Sequence, residues 1–155
     1  MNDVGGGPGW LDDWVYGRPL PPPETWARPG LALVFNLGCA GCVSRAVPWL
    51  KNVAGRASER AVLFAVHTAY AHRRLPRDEV AVAVERFARD VAHVPVPVAL
   101  DLNGSWAASL GAAGTPHWFA WDQRGRLDRS VYGSQQNAFT RLGYLLEEWG
   151  LEHSA

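Results

Sequence analysis

Apolar residues in this chain follow two spacings. Short, nearly unbroken runs occupy 31–37 (Leu-Ala-Leu-Val-Phe-Asn-Leu) and 61–67 (Ala-Val-Leu-Phe-Ala-Val-His). Runs of that length predict strands buried on both faces. Between them, apolar residues recur at 43, 46, 47, 50, 53 and 54. That helical spacing predicts a helix over 40–54, bent at the internal Pro48 and stopped at Gly55. Strand, helix and strand with short joins predict a parallel βαβ unit with a right-handed crossover.

Downstream, Pro76 and Asp78 open a predicted helix over 78–92, with Val80, Val84, Phe87 and Val91 on one face. Residues 94–100 read as extended, and Pro95 and Pro97 suggest an edge or bulged strand. Asn103-Gly104 is a turn before a short helix over 105–111. Trp118–Trp121 and Leu127–Tyr132 are the strands of a hairpin whose tip, 122–126, places Gly125 at a positive φ. A helix over 135–149 follows Gly133, with Leu142, Leu145, Leu146 and Trp149 as its stripe. Upstream, Trp14–Gly17 suggests a small edge strand and Pro19–Pro23 a stiff connector. The glycine-rich stretch 1–9 is expected to be a flexible tail and 10–151 a single domain.

Composition narrows the function. The 155 residues carry no formal net charge, which gives no reason to expect nucleic acid or an anionic membrane as partner. The first residues lack the basic start and apolar stretch of a secretory signal, and no run is long enough for a membrane span. On that basis the chain is expected to be cytoplasmic. Trp10, Trp14, Trp26 and Trp49, four of the eight tryptophans, are expected to pack around the first strand and helix. Trp106 and Trp118 are candidates to line a client groove.

The only cysteines are Cys39 and Cys42, in Cys-Ala-Gly-Cys at the strand-to-helix junction. A thiol there meets the unpaired N–H groups and positive dipole end of the helix, which favour its thiolate. The thiolate is the form that attacks disulfides. Structural zinc is disfavoured, because a second cysteine or Cys/His pair is absent.

This order of elements resembles the thioredoxin-like fold, in its TlpA-like, redoxin branch. Three pieces carry the resemblance over residues 14–149: Cys39-Ala40-Gly41-Cys42 after the first long strand, Gly114-Thr115-Pro116 before the hairpin, and Asp122 to Gly125 at its tip. The helix and strand over 78–101 look like that branch's insertion. The resemblance implies an α/β fold with a central mixed β-sheet flanked by helices. It implies that Pro116 follows a cis bond and faces the cysteines, and that Thr115 offers backbone groups to a substrate strand. It also implies that Cys39 is the nucleophile and Cys42 the resolving thiol of a thiol–disulfide oxidoreductase. Such a protein needs no cofactor or metal. Its partners are a disulfide-containing client protein and a recycling thiol reductant.

Several positions depart from the family pattern. Gly38 stands where tryptophan is usual. Leu33 and Arg45 stand where relatives carry an acid that takes the proton of the resolving thiol. Pro48 lies one residue late. His117, next to Pro116, is the first candidate for the missing proton acceptor, and His67, at the end of the second strand, is the next. Alternatives are a Cu(I)-binding metallochaperone using Cys39, Cys42 and a histidine, a thiol peroxidase, which Asn36 disfavours, and an interaction module with vestigial cysteines.

Overall fold

Strands β2 (Gly30–Phe35) and β3 (Val62–Thr68) pair in parallel, from Gly30 against Val62 to Phe35 against His67. Every residue of both is buried, as unbroken apolar runs require of strands covered on two sides. The computed structural model describes residues 9–57, 59–69 and 75–151, so the expected tail lies outside them except for Gly9. Strand β4 (Val98–Asp101) runs parallel to β3, and β1 (Trp14–Tyr16) closes that side antiparallel to β4. On the other side β5 (His117–Trp121) is antiparallel to β2 and forms a hairpin with β6 (Leu127–Tyr132). Among the described residues the order in this mixed sheet is β1-β4-β3-β2-β5-β6.

The expectation of an edge strand near 94–100 is corrected. Pro95 and Pro97 precede β4, where their missing N–H groups cost the ladder nothing, and β1 is the edge. The irregular register falls between β1 and β4, at Trp14 and Tyr16.

Alternation along the strands sorts the core into two layers. Leu31, Leu33, Phe35, Leu63, Ala65, Trp118 and Ala120 pack with Cys42 and with helices α1 (Val47–Ala57), α2 (Arg77–Arg86) and α4 (Gln136–Glu148). Ala32, Val34, Phe64, Val66, Phe119 and Trp121 pack on the opposite side with Leu11, Trp26 and α3 (Ser105–Ser109). There Trp10, Trp14, Trp26 and Trp121 surround Phe64, and Trp106 joins them through Trp10 and Trp121. Trp49 belongs to the cysteine side, stacked on Phe139 and edge-on to Trp118. Trp106 and Trp118 are both buried; Trp106 borders a hollow with Trp10 and Leu11, on the tryptophan side of the sheet and away from the cysteines.

Two π-turns shift the helical stripes. Cys42–Ala46 is one, and it runs directly into α1. Its wide turn, closed by Val47 N–H on the Cys42 carbonyl, absorbs one extra residue just before Pro48, which has no N–H to continue an ordinary turn. That extra residue accounts for the late proline. Gly55 does not stop the helix, which continues to Ala57. The second π-turn, Phe87–Val91, extends α2 and rotates its face. Val84 and Ala88 are buried, whereas Val91 is 68% exposed.

Candidate active site

Cys39 sits at the mouth of the helix and Cys42 one turn in. The Cys39 N–H donates to the Asn36 carbonyl (3.0 Å), and the helix begins at Ala40. The two sulfurs form a disulfide, with their Cα atoms 5.2 Å apart. Cys39 is half-buried and Cys42 fully buried, so the sulfur open to attack or attacking is that of Cys39. The Cys42 N–H donates to Cys39 Sγ (3.2 Å) and also to its carbonyl (3.1 Å). This donor lies in the first turn of the helix, and in the reduced protein it favours a Cys39 thiolate.

The opposing wall is Thr115-Pro116. The bond between them is cis, and the Thr115 carbonyl oxygen lies 3.5 Å from Cys39 Sγ. The Gly133 N–H holds the Pro116 carbonyl at 2.9 Å, and the Trp118 indole N–H holds the Gly133 carbonyl at 3.1 Å. Next to Gly133, Ser134 is buried with its hydroxyl pressed against the cysteine loop. A Cβ added at Gly41 would lie 2.7 Å from Ser134 Oγ, so position 41 is confined to glycine unless that side chain moves. Nothing in the sequence pointed to Ser134.

Asn36, which in the sequence counts only against a peroxidase, is a second residue whose part in the site was not read, although its polarity inside an apolar run was the signal. Its side chain donates to the Thr68 carbonyl (2.7 Å) and accepts from the Gly38 N–H (2.8 Å). It thereby ties the loop before Cys39 to the end of β3.

The two candidate histidines are placed differently. His117 is buried, and its neighbours at alternate positions, Phe119 and Trp121, lie on the tryptophan side of the sheet, away from Cys42. The ring stacks on Phe119 with centroids 4.5 Å apart. Its Nδ1 accepts the Ala113 N–H (3.0 Å), so Nε2 carries the proton and donates to Ser130 Oγ (2.7 Å). Both nitrogens are engaged, and burial lowers the pKa. His117 is thus not brought together with the cysteines as expected, because the strand alternation turns it away.

His67 lies on the cysteine side, edge-on to Phe35. Its Nε2 accepts the Leu37 N–H at 3.2 Å, and burial pushes its pKa down to about 4. Leu33 is fully buried in the apolar layer with Cys42, and Arg45 is exposed. Among the described residues no group of three or more His, Cys, Asp or Glu side chains is placed to hold a metal ion, which leaves the Cu(I) alternative without structural support. Nor, among them, is any helix long and apolar enough to cross a membrane.

No protein-family model matches the sequence, and no curated protein matches it. Solved structures do. A thiol-disulfide isomerase from Corynebacterium glutamicum superimposes with a TM-score of 0.76 at 22% identity, covering 90% of this chain and 91% of that one. A secreted disulfide oxidoreductase of Mycobacterium tuberculosis gives 0.62 at 14% identity, over 85% and 92% of the two chains. An exposed lipoprotein thioredoxin of Streptococcus pneumoniae gives 0.63 at 16% identity, over 79% and 85%. Two of these are described as secreted or exposed, which overturns the expectation of a cytoplasmic protein. That expectation rested on the first residues of the chain, while a CxxC at a helix end operates in either compartment. With the mixed sheet, the cysteine pair in the helical turns that lead into α1 and the cis-proline opposite, these likenesses establish that the chain has the thioredoxin-like fold.

Proposed function

We propose that the protein is a thiol–disulfide oxidoreductase of the TlpA-like kind that reduces disulfides of client proteins through Cys39 and Cys42. The observation that carries this reading is the asymmetry of the pair. Cys39 Sγ is reachable and accepts a helix-end N–H, and Cys42 is fully buried behind it. The Cys39 thiolate attacks one sulfur of the client disulfide. A Cys39–client bond forms, the client S–S bond breaks, and the other client sulfur leaves as a thiolate. Cys42 then loses its proton and attacks Cys39 Sγ, which releases the second client thiolate and closes the Cys39–Cys42 disulfide. Two electrons pass to the client, and a dithiol reductant returns them to the pair. Thr115 and Pro116 form the wall along which the client segment lies.

In this reading His117 is a positioning residue. It holds Ala113, and with it the approach to Gly114-Thr115-Pro116, through Nδ1. The test is equilibration of the pair in glutathione buffers, alongside turnover of a protein disulfide by wild type and Cys39→Ser. A potential below the glutathione poise and loss of turnover in the variant are expected. A potential above the poise would reverse the direction to oxidation. Turnover that survived Cys39→Ser would sink the mechanism.

A further inference from the structure

Beside the cysteine loop the surface holds a hollow of about 220 Å³. Leu37 and Gly38 line it, and Gly38 immediately precedes Cys39, so the hollow borders the loop that carries the reacting cysteine. Leu75 and Leu102, which also line it, are left 60% and 37% exposed. Large apolar side chains that converge on a concavity mark a binding surface.

His67 lines the hollow as well and is only 8% exposed. Because Nε2 accepts the Leu37 N–H, Nδ1 carries the ring proton, and among the described residues that donor has no acceptor. A donor of this kind in the wall of a hollow is placed to serve an acceptor carried by an occupant. The volume falls below the roughly 300–1,000 Å³ of small-molecule sites. It suits one large side chain.

We infer that this hollow is a specificity pocket for a single bulky, uncharged side chain, of the leucine, methionine or phenylalanine class, next to the reacting cysteine of the client. The inference rests on the exchange reading above, because it takes the occupant to be the polypeptide whose disulfide meets Cys39. The side chain fills the apolar part, and the backbone carbonyl beside it accepts the His67 Nδ1–H. Glu79, the acidic residue of the lining, disfavours an aspartate or glutamate in the same place. Gly38 lets the client backbone pass from the pocket to Cys39 without a side chain in the way.

The experiment uses the reduced full chain and four peptides of one length. Each carries one cysteine blocked as a mixed disulfide with an aromatic nitrothiol, and they differ only in the preceding residue: leucine, phenylalanine, serine or aspartate. Second-order rates are read from the colour of the released nitrothiolate, with oxidised glutathione, followed by intact mass of the protein, as a substrate that has no such side chain. Leucine and phenylalanine should react about tenfold or more faster than serine, and aspartate slowest. In Ala83→Phe the new ring enters the hollow from an exposed helical position, and the preference should shrink to about twofold or less. Equal rates in wild type would overturn the pocket and leave exchange standing. A preference that persists in Ala83→Phe would also overturn it. Failure of wild type to react with any peptide or with oxidised glutathione would remove the exchange reading and the pocket with it.

Discussion

The two sides of the sheet are built from the same strands and do different work. On the tryptophan side, five indoles and Phe64 interlock, edge to face around Trp10 and Trp26 and stacked at Trp121, and Trp26 lies so close over Gly30 that a Cβ there would clash with its ring. On the cysteine side, three helices cover the sheet, two of them carry π-turns, and the layer opens at its end into the hollow beside Gly38. Aromatic packing supplies stability without chemistry, while the irregular helices place a buried thiol behind a reachable one. The difference teaches that tryptophan abundance in this chain marks the side that does not react.

The sharpest test of that division is chemical. Cys39→Ser should lower disulfide turnover by about 10³-fold or more, since an alcohol cannot replace the thiolate. Cys42→Ser should instead stall as a covalent adduct with the client, visible by intact mass under non-reducing conditions. On the other side, Phe64→Ala should cost about 3–5 kcal/mol of unfolding free energy, from lost burial plus a cavity. Its exchange rate per folded molecule should equal wild type. If the rate falls with the stability, the two sides are not independent.

His67 provides a test of intermediate size. Its pKa is about 6.5 in an unfolded chain and about 4 in the folded one, where burial disfavours the imidazolium. Between those values the unfolded chain binds the extra proton, so folding stability rises with pH in that window. Stability is therefore full above pH ~6.5 and falls by about 3 kcal/mol as pH drops to ~4. Denaturant melts at both ends of the window should show that loss in wild type and a shallower one in His67→Gln. Equal slopes would mean that the ring is not desolvated as its burial implies.

Most of the fold was legible in the sequence because long apolar runs and helical stripes report burial directly. The parallel pair at 31–37 and 61–67, the hairpin at Gly125 and the final helix all stand near their expected places. What could not be read was local geometry that adds or removes one residue from a turn. The π-turn at Phe87–Val91 put Val91 in water and Ala88 in the core, against the simple stripe. The π-turn at Cys42–Ala46 accommodates Pro48 one position late, and the helix runs past Gly55 to Ala57. In the site, Cys39, Cys42, Thr115 and Pro116 were found by spacing and resemblance and are adjacent in space. Asn36 and Ser134 were not, because their importance lies in contacts across the fold, with Thr68 and Gly41. His117 was judged by its neighbour in sequence, and alternation along a strand sends neighbours to opposite sides.

That alternation makes His117 the finest test of the comparison, with the smallest expected effect. Its ring bonds belong to the tryptophan side, yet through Ala113 it steadies the loop that carries the cis-proline. His117→Phe keeps a flat ring against Phe119 but leaves the Ala113 N–H and the Ser130 hydroxyl without their partner. The expected cost is about 1–3 kcal/mol. If the imidazole only positions the loop, the pH–rate profile for disulfide exchange keeps its shape, and the rate falls by the same factor at every pH. If it takes the proton from Cys42, the variant loses rate chiefly where neutral imidazole would have acted, and the profile changes form. A changed profile would mean that the sheet does not separate packing from chemistry at this strand. An unchanged one would leave proton transfer from Cys42 to groups on its own side of the sheet.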